Sequence, residues 1–252
     1  HLDAYGSFDR VVEAFTSFAD RVPFYGAVVV CLDDAALANR LPSLTRRVIT
    51  YGRGEGAHVR GTSFTTDGRS GAMDVVFDVP GVPGGTGTGR ITLVVPGEHN
   101  LLNALAAVAV GLELGVPFGA IQEALAGFHG AERRYQVRGT VRGVTVVDDY
   151  GHHPTEIAAV LKAARSGAPS RLVAIFQPHR FTRTRDLLDE FGPALSLADE
   201  VILTDIYAAG EAPIAGVSLE TLAAAVRRVV PDVHVVPAIE AVPAAAVKLL
   251  RK

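Results

Sequence analysis

Cysteine, methionine and tryptophan are almost absent from this sequence. It has one cysteine, one methionine and no tryptophan among 252 residues. A single cysteine, Cys31, excludes an internal disulfide framework and fits a reducing compartment. Because the neighbours of Cys31 are apolar, we expect a buried structural thiol and not a reactive one.

Excess charge and long apolar runs are absent as well. The formal net charge is −3 without a long run of one sign, which argues against general nucleic-acid binding. The longest apolar candidate, residues 101–114, is interrupted by Asn103, Gly111 and Glu113, so we expect no membrane span. The first residues already have the pattern of folded sequence, so we expect no signal peptide. The sequence therefore predicts a cytoplasmic protein with no nucleic-acid or membrane partner.

Two common phosphate-binding motifs are also missing. No Gly-x-Gly-x-x-Gly follows the first strand, which argues against the usual dinucleotide mode. The glycine-rich stretch 80–89 is not followed by Lys-Ser or Lys-Thr, and no helix pattern opens there. We interpret it as an exposed loop and not as a phosphate loop.

What the sequence does contain is an α/β pattern. A helix over 7–20 and strands over 27–32 and 47–51 predict a parallel sheet covered on both faces. Strands joined by hairpins or loops then occupy residues 52–96, and helices are expected at 101–114 and 118–126. We place a domain boundary between residues 132 and 133.

The second predicted domain, residues 133–252, alternates strands with helices. Such alternation predicts a Rossmann-like parallel sheet. Its helices are expected at 155–165, 182–195, 219–229 and 239–250. Its strands are expected at 144–147, 172–176, 201–203 and 234–236.

A dense polar turn, Asp148 to His153, lies between a strand and the helix that Pro154 opens. Ligands of open α/β sheets bind beyond the carboxyl ends of strands, where such turns lie. Taken singly, Asp149 fits a turn acid, Tyr150 a packing ring, and the two histidines a solvated helix start. Taken together, they equally fit a site for an anion, for proton transfer, or for a metal held by Asp149, His152 and His153.

A second polar cluster, residues 177–185, follows the next predicted strand. Arg180 and Arg183 are three residues apart, so we expect them to share a helical face and bind a carboxylate or phosphate. Arg185 is interpreted as an ordinary solvated charge. Since sequential strands are usually neighbours, the two clusters are predicted to face one crevice.

Five strings resemble the Mur ligases of peptidoglycan synthesis. Strings over 148–156 and 176–184 are the more specific, and the His-Asn-x-x-Asn string at residue 99 is shared across the family. Further matching strings lie at residues 132–135 and 207–214. The resemblance implies the second half of a central ATP-binding domain, residues 1–132, and a Rossmann-like C-terminal ligase domain, residues 133–252.

The family plan also has an N-terminal UDP-substrate domain, a Gly-Lys-Thr phosphate loop and a last strand after Arg251. These features are not found in this sequence, so we expect this chain to be a fragment of such a ligase and to be inactive alone. An incomplete sheet leaves an edge exposed, and a homodimer is therefore left open.

The resemblance implies a reaction and a role for each matching residue. The reaction is ATP-dependent amide formation between UDP-N-acetylmuramate and L-alanine through an acyl phosphate, with Mg²⁺. Two rival activities are a recycling ligase that adds a ready-made peptide and a metal-dependent hydrolase; a non-catalytic nucleotide-binding module is a third alternative. The implied residues are His99 and Asn100 at adenine; Arg134 and Asp149 at ribose and phosphates; Tyr150, His152, Arg180 and Arg183 at the amino acid, the last three as catalytic residues; and His1 at the metal.

Overall fold

A computed structural model describes residues 5–250 of the chain. Its internal contacts divide the chain into two compact units, His1–His129 and Gly130–Lys252. Each unit has its own sheet and its own hydrophobic core. Among the described helices, none combines the length and the apolar character that crossing a membrane requires.

The first unit is built on a mixed five-stranded sheet in the order β1-β2-β3-β4-β5. The strands β1 to β3 run parallel, and β3 to β5 run antiparallel. The elements are α1 Phe8–Ala19, β1 Ala27–Cys31, α2 Ala35–Ala38, a 3-10 turn Leu41–Ser43, β2 Arg47–Gly52, β3 Val59–Thr66, β4 Gly71–Asp78, β5 Thr86–Leu93, α3 Glu98–Glu113 and α4 Phe118–Ala126.

Helix α3 covers one face of this sheet. Leu101 and Leu105 are fully buried and belong to the same core cluster as Met73, Val75 and Ile91 on the strands. The predicted helix began at residue 101, but α3 begins at Glu98. The reason is that Gly97, at φ 99°, takes the cap position, which places residues 98–100 in the first turn.

The predicted loop over 80–89 is wrong in its second half. Strand β5 begins at Thr86, which pairs with Asp78. Its glycines make room for aromatic rings, because a Cβ on Gly89 would lie 2.2 Å from Cε1 of Phe118. The glycines that suggested a loop therefore permit strand–helix packing.

The second unit contains two separate sheets. A parallel three-stranded sheet has the order β10-β9-β8, and a two-stranded antiparallel sheet pairs β6 with β7. The elements are β6 Gln136–Val141, β7 Val144–Asp148, α5 Pro154–Ser166, β8 Val173–Phe176, α6 Phe181–Asp186, α7 Leu188–Leu195, β9 Glu200–Leu203, α8 Leu219–Arg227, β10 Val233–Val235, a 3-10 turn Ile239–Ala241 and α9 Val242–Leu250.

The structure corrects two predictions for this unit. Strand β7 is not part of the parallel sheet, because Arg142 and Gly143, with φ of 52° and 81°, form a two-residue turn that folds it back on β6. The predicted helix 182–195 is two helices, because Leu187 leaves helical geometry at φ −116° and ψ 17°.

Candidate functional site

The turn after β7 is organised by Asp149. Its carboxylate accepts hydrogen bonds from the backbone N–H of Tyr135, at 2.8 Å, and of Gly151, at 2.6 Å. The N–H of Tyr150 donates to the carbonyl of Arg133 at 2.7 Å. Asp149 therefore fixes the backbone conformation of the turn that contains Tyr150 and His152.

Glu156 holds the two histidines from the first turn of α5. Its Oε2 accepts from the N–H of His152 at 3.1 Å and of His153 at 3.2 Å, and His153 caps the helix. Burial alone would raise the pKa of Glu156, but these two hydrogen bonds, with the charges of His152 and Arg134, lower it below its ordinary value. Glu156 is thus a carboxylate that anchors the turn.

His152 has a defined arrangement of its two ring nitrogens. Its Nδ1 lies 3.0 Å from the carbonyl oxygen of Tyr150 and 3.9 Å from Oε2 of Glu156. Both neighbours are acceptors, so in the neutral ring the proton resides on Nδ1 and the lone pair on Nε2. Nε2 is therefore the nitrogen that can accept a proton.

A row of four rings joins the two polar clusters. The ring centroids of Tyr150 and His152 are 5.3 Å apart, those of His152 and His179 5.6 Å, and those of His179 and Tyr207 5.4 Å. The two clusters therefore contact each other through their histidine rings, and the crevice that they were expected to share stays a prediction. The route is different, because β7 and β8 belong to different sheets.

The two arginines lie beside His179, in different settings. Nη1 of Arg183 is 3.2 Å from Nδ1 and 3.3 Å from the carbonyl oxygen of His179. Nη1 of Arg180 is 3.7 Å from Oε1 of Glu211. Burial first, and then the positive charges of Arg183, His152 and Arg180, lower the pKa of His179. The surroundings therefore favour an anion over a further cation.

The expectation that the arginines share one helical face is wrong. Arg180 is the cap residue of α6, at φ 72° and ψ 140°, outside the helix that contains Arg183. Arg180 contacts Glu211 through its guanidinium and the carbonyl of Tyr207 through its backbone N–H. No role was predicted for His179, Tyr207 or Glu211 from the sequence, although all three stand in the strings that resemble the Mur ligases.

The predicted nucleotide residues of the second unit take part in local ion pairs and turns. Nη1 of Arg134 is 3.5 Å from Oε1 of Glu156 and its side chain is about half exposed. Arg133 lies over the ring of Tyr150, 4.8 Å from its centroid, and pairs with Asp148 at 3.8 Å. Arg134 and Asp149 therefore both border the turn that presents Tyr150 and His152.

In the first unit, His99 and Asn100 lie in the first turn of α3. Nδ2 of Asn100 donates to the carbonyl of Pro96 at 2.7 Å, so its amide is tied to the loop before the helix. Arg53 pairs with Glu98 at 2.7 Å and lies 4.3 Å from the ring centroid of Phe64. The first turn of α3 is thus flanked by the Arg53–Glu98 ion pair and the ring of Phe64.

The described residues do not bear out the metal site predicted at Asp149, His152 and His153, and the prediction for His1 is untested. His1 lies outside residues 5–250, and within that range no group of three or more His, Cys, Asp or Glu side chains is arranged to hold an ion. Both carboxylate oxygens of Asp149 and Nδ1 of His153 accept from backbone N–H groups, and Nδ1 of His152 faces a carbonyl. The three side chains of the proposed hydrolase site therefore do not form a ligand set.

Sequence models of two Mur ligase domains match the chain. The Mur ligase middle domain matches residues 1–111, and the Mur ligase glutamate ligase domain matches residues 133–252. The chain belongs to the Mur ligase family.

Within that family the chain is similar to UDP-N-acetylmuramate–L-alanine ligases. It is 49% identical to that of Geobacter sulfurreducens over 230 residues, which are 90% of this chain and 48% of the relative. It is 48% identical to that of Geobacter sp. strain M21 over 229 residues, with the same coverage of each chain. This chain thus spans about half the length of these relatives.

Solved structures agree with this assignment. The UDP-N-acetylmuramate-alanine ligase MurC of Thermotoga maritima has a TM-score of 0.73 and 26% identity, covering 96% of this chain and 50% of that one. MurF of Acinetobacter baumannii has a TM-score of 0.78 at 21% identity, covering 100% and 51%, and shares the fold.

Proposed function

We propose that this chain is part of an enzyme that joins L-alanine to UDP-N-acetylmuramate with ATP in peptidoglycan synthesis. The observation that carries the proposal is the meeting of His152 and His179 with two arginines in the second unit. The similarity to UDP-N-acetylmuramate–L-alanine ligases over 90% of this chain supports it.

The arginine–histidine cluster offers a site for the amino acid. The carboxylate of L-alanine binds Arg180 and Arg183, since guanidinium groups bind carboxylates through paired hydrogen bonds. Tyr150 borders the same site through its contact with His152. In this proposal the amine of alanine faces Nε2 of His152, which accepts one of its protons.

The reaction that we propose has two steps. A carboxylate oxygen of UDP-N-acetylmuramate forms a bond to the γ-phosphorus of ATP and the bond to ADP breaks, giving an acyl phosphate. The amine nitrogen of alanine then bonds to the acyl carbon, and inorganic phosphate leaves. The arginines stabilise the negative charge that develops on the oxygens, because catalysis of phosphoryl and acyl transfer depends on fixed positive charge and positioning.

The nucleotide residues are proposals on the resemblance. His99 and Asn100 contact adenine, and Arg134 and Asp149 contact ribose and phosphates. ATP is used with Mg²⁺, as the resemblance implies. The cytoplasmic location and the homodimer stay predictions.

The test is product formation by the complete protein in which this chain occurs, since the chain spans about half the length of its relatives. ATP, UDP-N-acetylmuramate and L-alanine should give ADP, phosphate and the alanyl product in equal amounts. ATP hydrolysis without the amide would overturn the proposal.

The recycling ligase is separated by the choice of acceptor. With a tripeptide in place of L-alanine, we expect kcat/KM to fall by at least about a hundredfold, since the arginines and His152 must meet one small amino acid. A preference for the tripeptide would favour the recycling enzyme.

A further inference from the structure

The loop 207–211 holds Arg180 by its backbone. The N–H of Arg180 donates to the carbonyl of Tyr207 at 2.8 Å, and the N–H of Tyr207 donates to the carbonyl of Pro178 at 2.8 Å. These reciprocal bonds form an isolated parallel bridge between His179 and Tyr207. The backbone before and at Arg180 is therefore paired with this loop.

The same loop holds the start of α6 through Glu211. Its carboxylate accepts from the N–H of Thr182 at 3.0 Å and from the Thr182 hydroxyl at 2.6 Å. It also lies 3.7 Å from Nη1 of Arg180. Burial would raise the pKa of Glu211, but the bonds from Thr182 and Phe181 and the charge of Arg180 lower it, so the group is a carboxylate near neutral pH.

Both segments carry backbone strain. Arg180, at φ 72° and ψ 140°, is close to a region that residues other than glycine rarely adopt, so its backbone is strained. In the loop, Ala209 is strained at φ 51°, whereas Gly210 adopts φ 85° without strain, and the N–H of Glu211 donates to the carbonyl of Ala208 at 3.0 Å. Strain of this kind persists only where the surroundings over-determine the conformation.

From this geometry we infer that Glu211 is a positioning residue for the proposed ligase, and that it aims the Arg180 guanidinium at the carboxylate of the amino-acid substrate. The inference rests on the proposed function. Glu211 itself touches no reacting atom. It fixes one side of the guanidinium and the first turn of α6, so that the guanidinium of Arg180 is held in one orientation.

The experiment compares steady-state kinetics of the complete protein and of Glu211→Gln, with L-alanine and ATP varied separately. Glutamine keeps an acceptor for Thr182 but removes the charge beside Arg180. We expect KM for L-alanine to rise about tenfold, with kcat and KM for ATP changed less than about threefold. Glu211→Asp, which keeps the charge, should recover part of the loss, and Glu190→Gln, the same exchange at an exposed position of α7, should match the unaltered protein.

Arg180→Ala separates failure of this inference from failure of the proposed function. If Arg180→Ala raises KM for alanine and Glu211→Gln does not, Glu211 is no positioning residue, although the amino-acid site stands. If Arg180→Ala leaves KM for alanine unchanged, the proposed amino-acid site is itself wrong. Equal changes in every kinetic constant of Glu211→Gln would mark a general structural defect and would also overturn the inference.

Discussion

Arg180 combines a strained backbone with a side chain that we assign to substrate binding. At φ 72° and ψ 140°, the Cβ clashes with the backbone, so every residue other than glycine is strained at this position. Glycine avoids this cost, whereas alanine keeps it.

Arg180→Gly should therefore be more stable than Arg180→Ala, although both remove the guanidinium. We expect a difference of about 1 kcal/mol in the free energy of unfolding, after the larger entropy of unfolded glycine is subtracted. Urea denaturation of both variants measures it. Equal stabilities, or a more stable alanine variant, would show that the backbone is unstrained at this position.

Glu156 provides a test by pH. Its pKa in the folded chain is lowered below the ordinary value of 4.5, so its contribution to stability is fully present above 4.5 and is lost as the pH falls through the lower folded value. Glu156→Gln should cost about 1 kcal/mol at pH 7, the usual value of a helix cap, and much less near pH 3. Denaturation at both pH values checks this; a cost that does not change with pH would contradict it.

The sequence alone identified the polar residues of the two clusters, but not the groups that they contact. Asp149 and His153 were expected to serve either the turn and helix start or a site, and the carboxylate of Asp149 and Nδ1 of His153 accept from backbone N–H groups. Glu211 was part of a matching string, yet its contact with Arg180 spans 31 positions of the chain. Contacts of that separation have no local spacing that would reveal them.

Among the elements, the packing of β5 against α4 depends on a glycine. A Cβ on Gly89 would meet Cε1 of Phe118 at 2.2 Å, and the Phe118 ring is held 4.7 Å from that of Phe77. The ring therefore has limited freedom to move away.

Gly89→Ala should lower the free energy of unfolding by about 1–3 kcal/mol, the usual cost of overpacking. Phe118→Leu in the same chain should recover about 1 kcal/mol of it, which a double-mutant cycle measures. Gly119→Ala is the control, since among the described residues nothing lies within 4 Å of its added Cβ and helix α4 favours alanine. Strictly additive effects of the two changes would contradict the clash.

Helix and strand periodicity predicted most elements, and the misses have local causes. Helix α4 was predicted at its observed limits, Phe118–Ala126, since Pro117 and Gly127 delimit it. The hairpin of β6 and β7 was missed because its turn is Arg142-Gly143 and lacks the Asn-Gly or Asp-Gly that signals such turns. Strand β7 was consequently assigned to the parallel sheet.

For the whole molecule, the two units have separate cores. Leu105 is fully buried in the core of the first unit and Leu222 in a core of the second. Each Leu→Ala change should cost about 2–5 kcal/mol in the unit that contains it.

Hydrogen exchange with mass spectrometry should locate these losses. Leu105→Ala should speed amide exchange in residues 27–126 first, and Leu222→Ala in residues 136–250 first, because each cavity weakens the core around it. Uniform acceleration across the chain by either change would show that one cooperative unit, and not two, controls exchange.

The most direct test of the central claim, that the arginine–histidine cluster binds the amino acid, is kcat/KM for L-alanine in Arg183→Ala of the complete protein. Arg183 lies at His179, whereas Arg185, two positions further along α6, pairs with Asp186 at 2.8 Å and is the matched control. The account predicts a fall of about ten- to a hundredfold for Arg183→Ala, with KM for ATP nearly unchanged, and no loss for Arg185→Ala. Equal values for the two variants would contradict it.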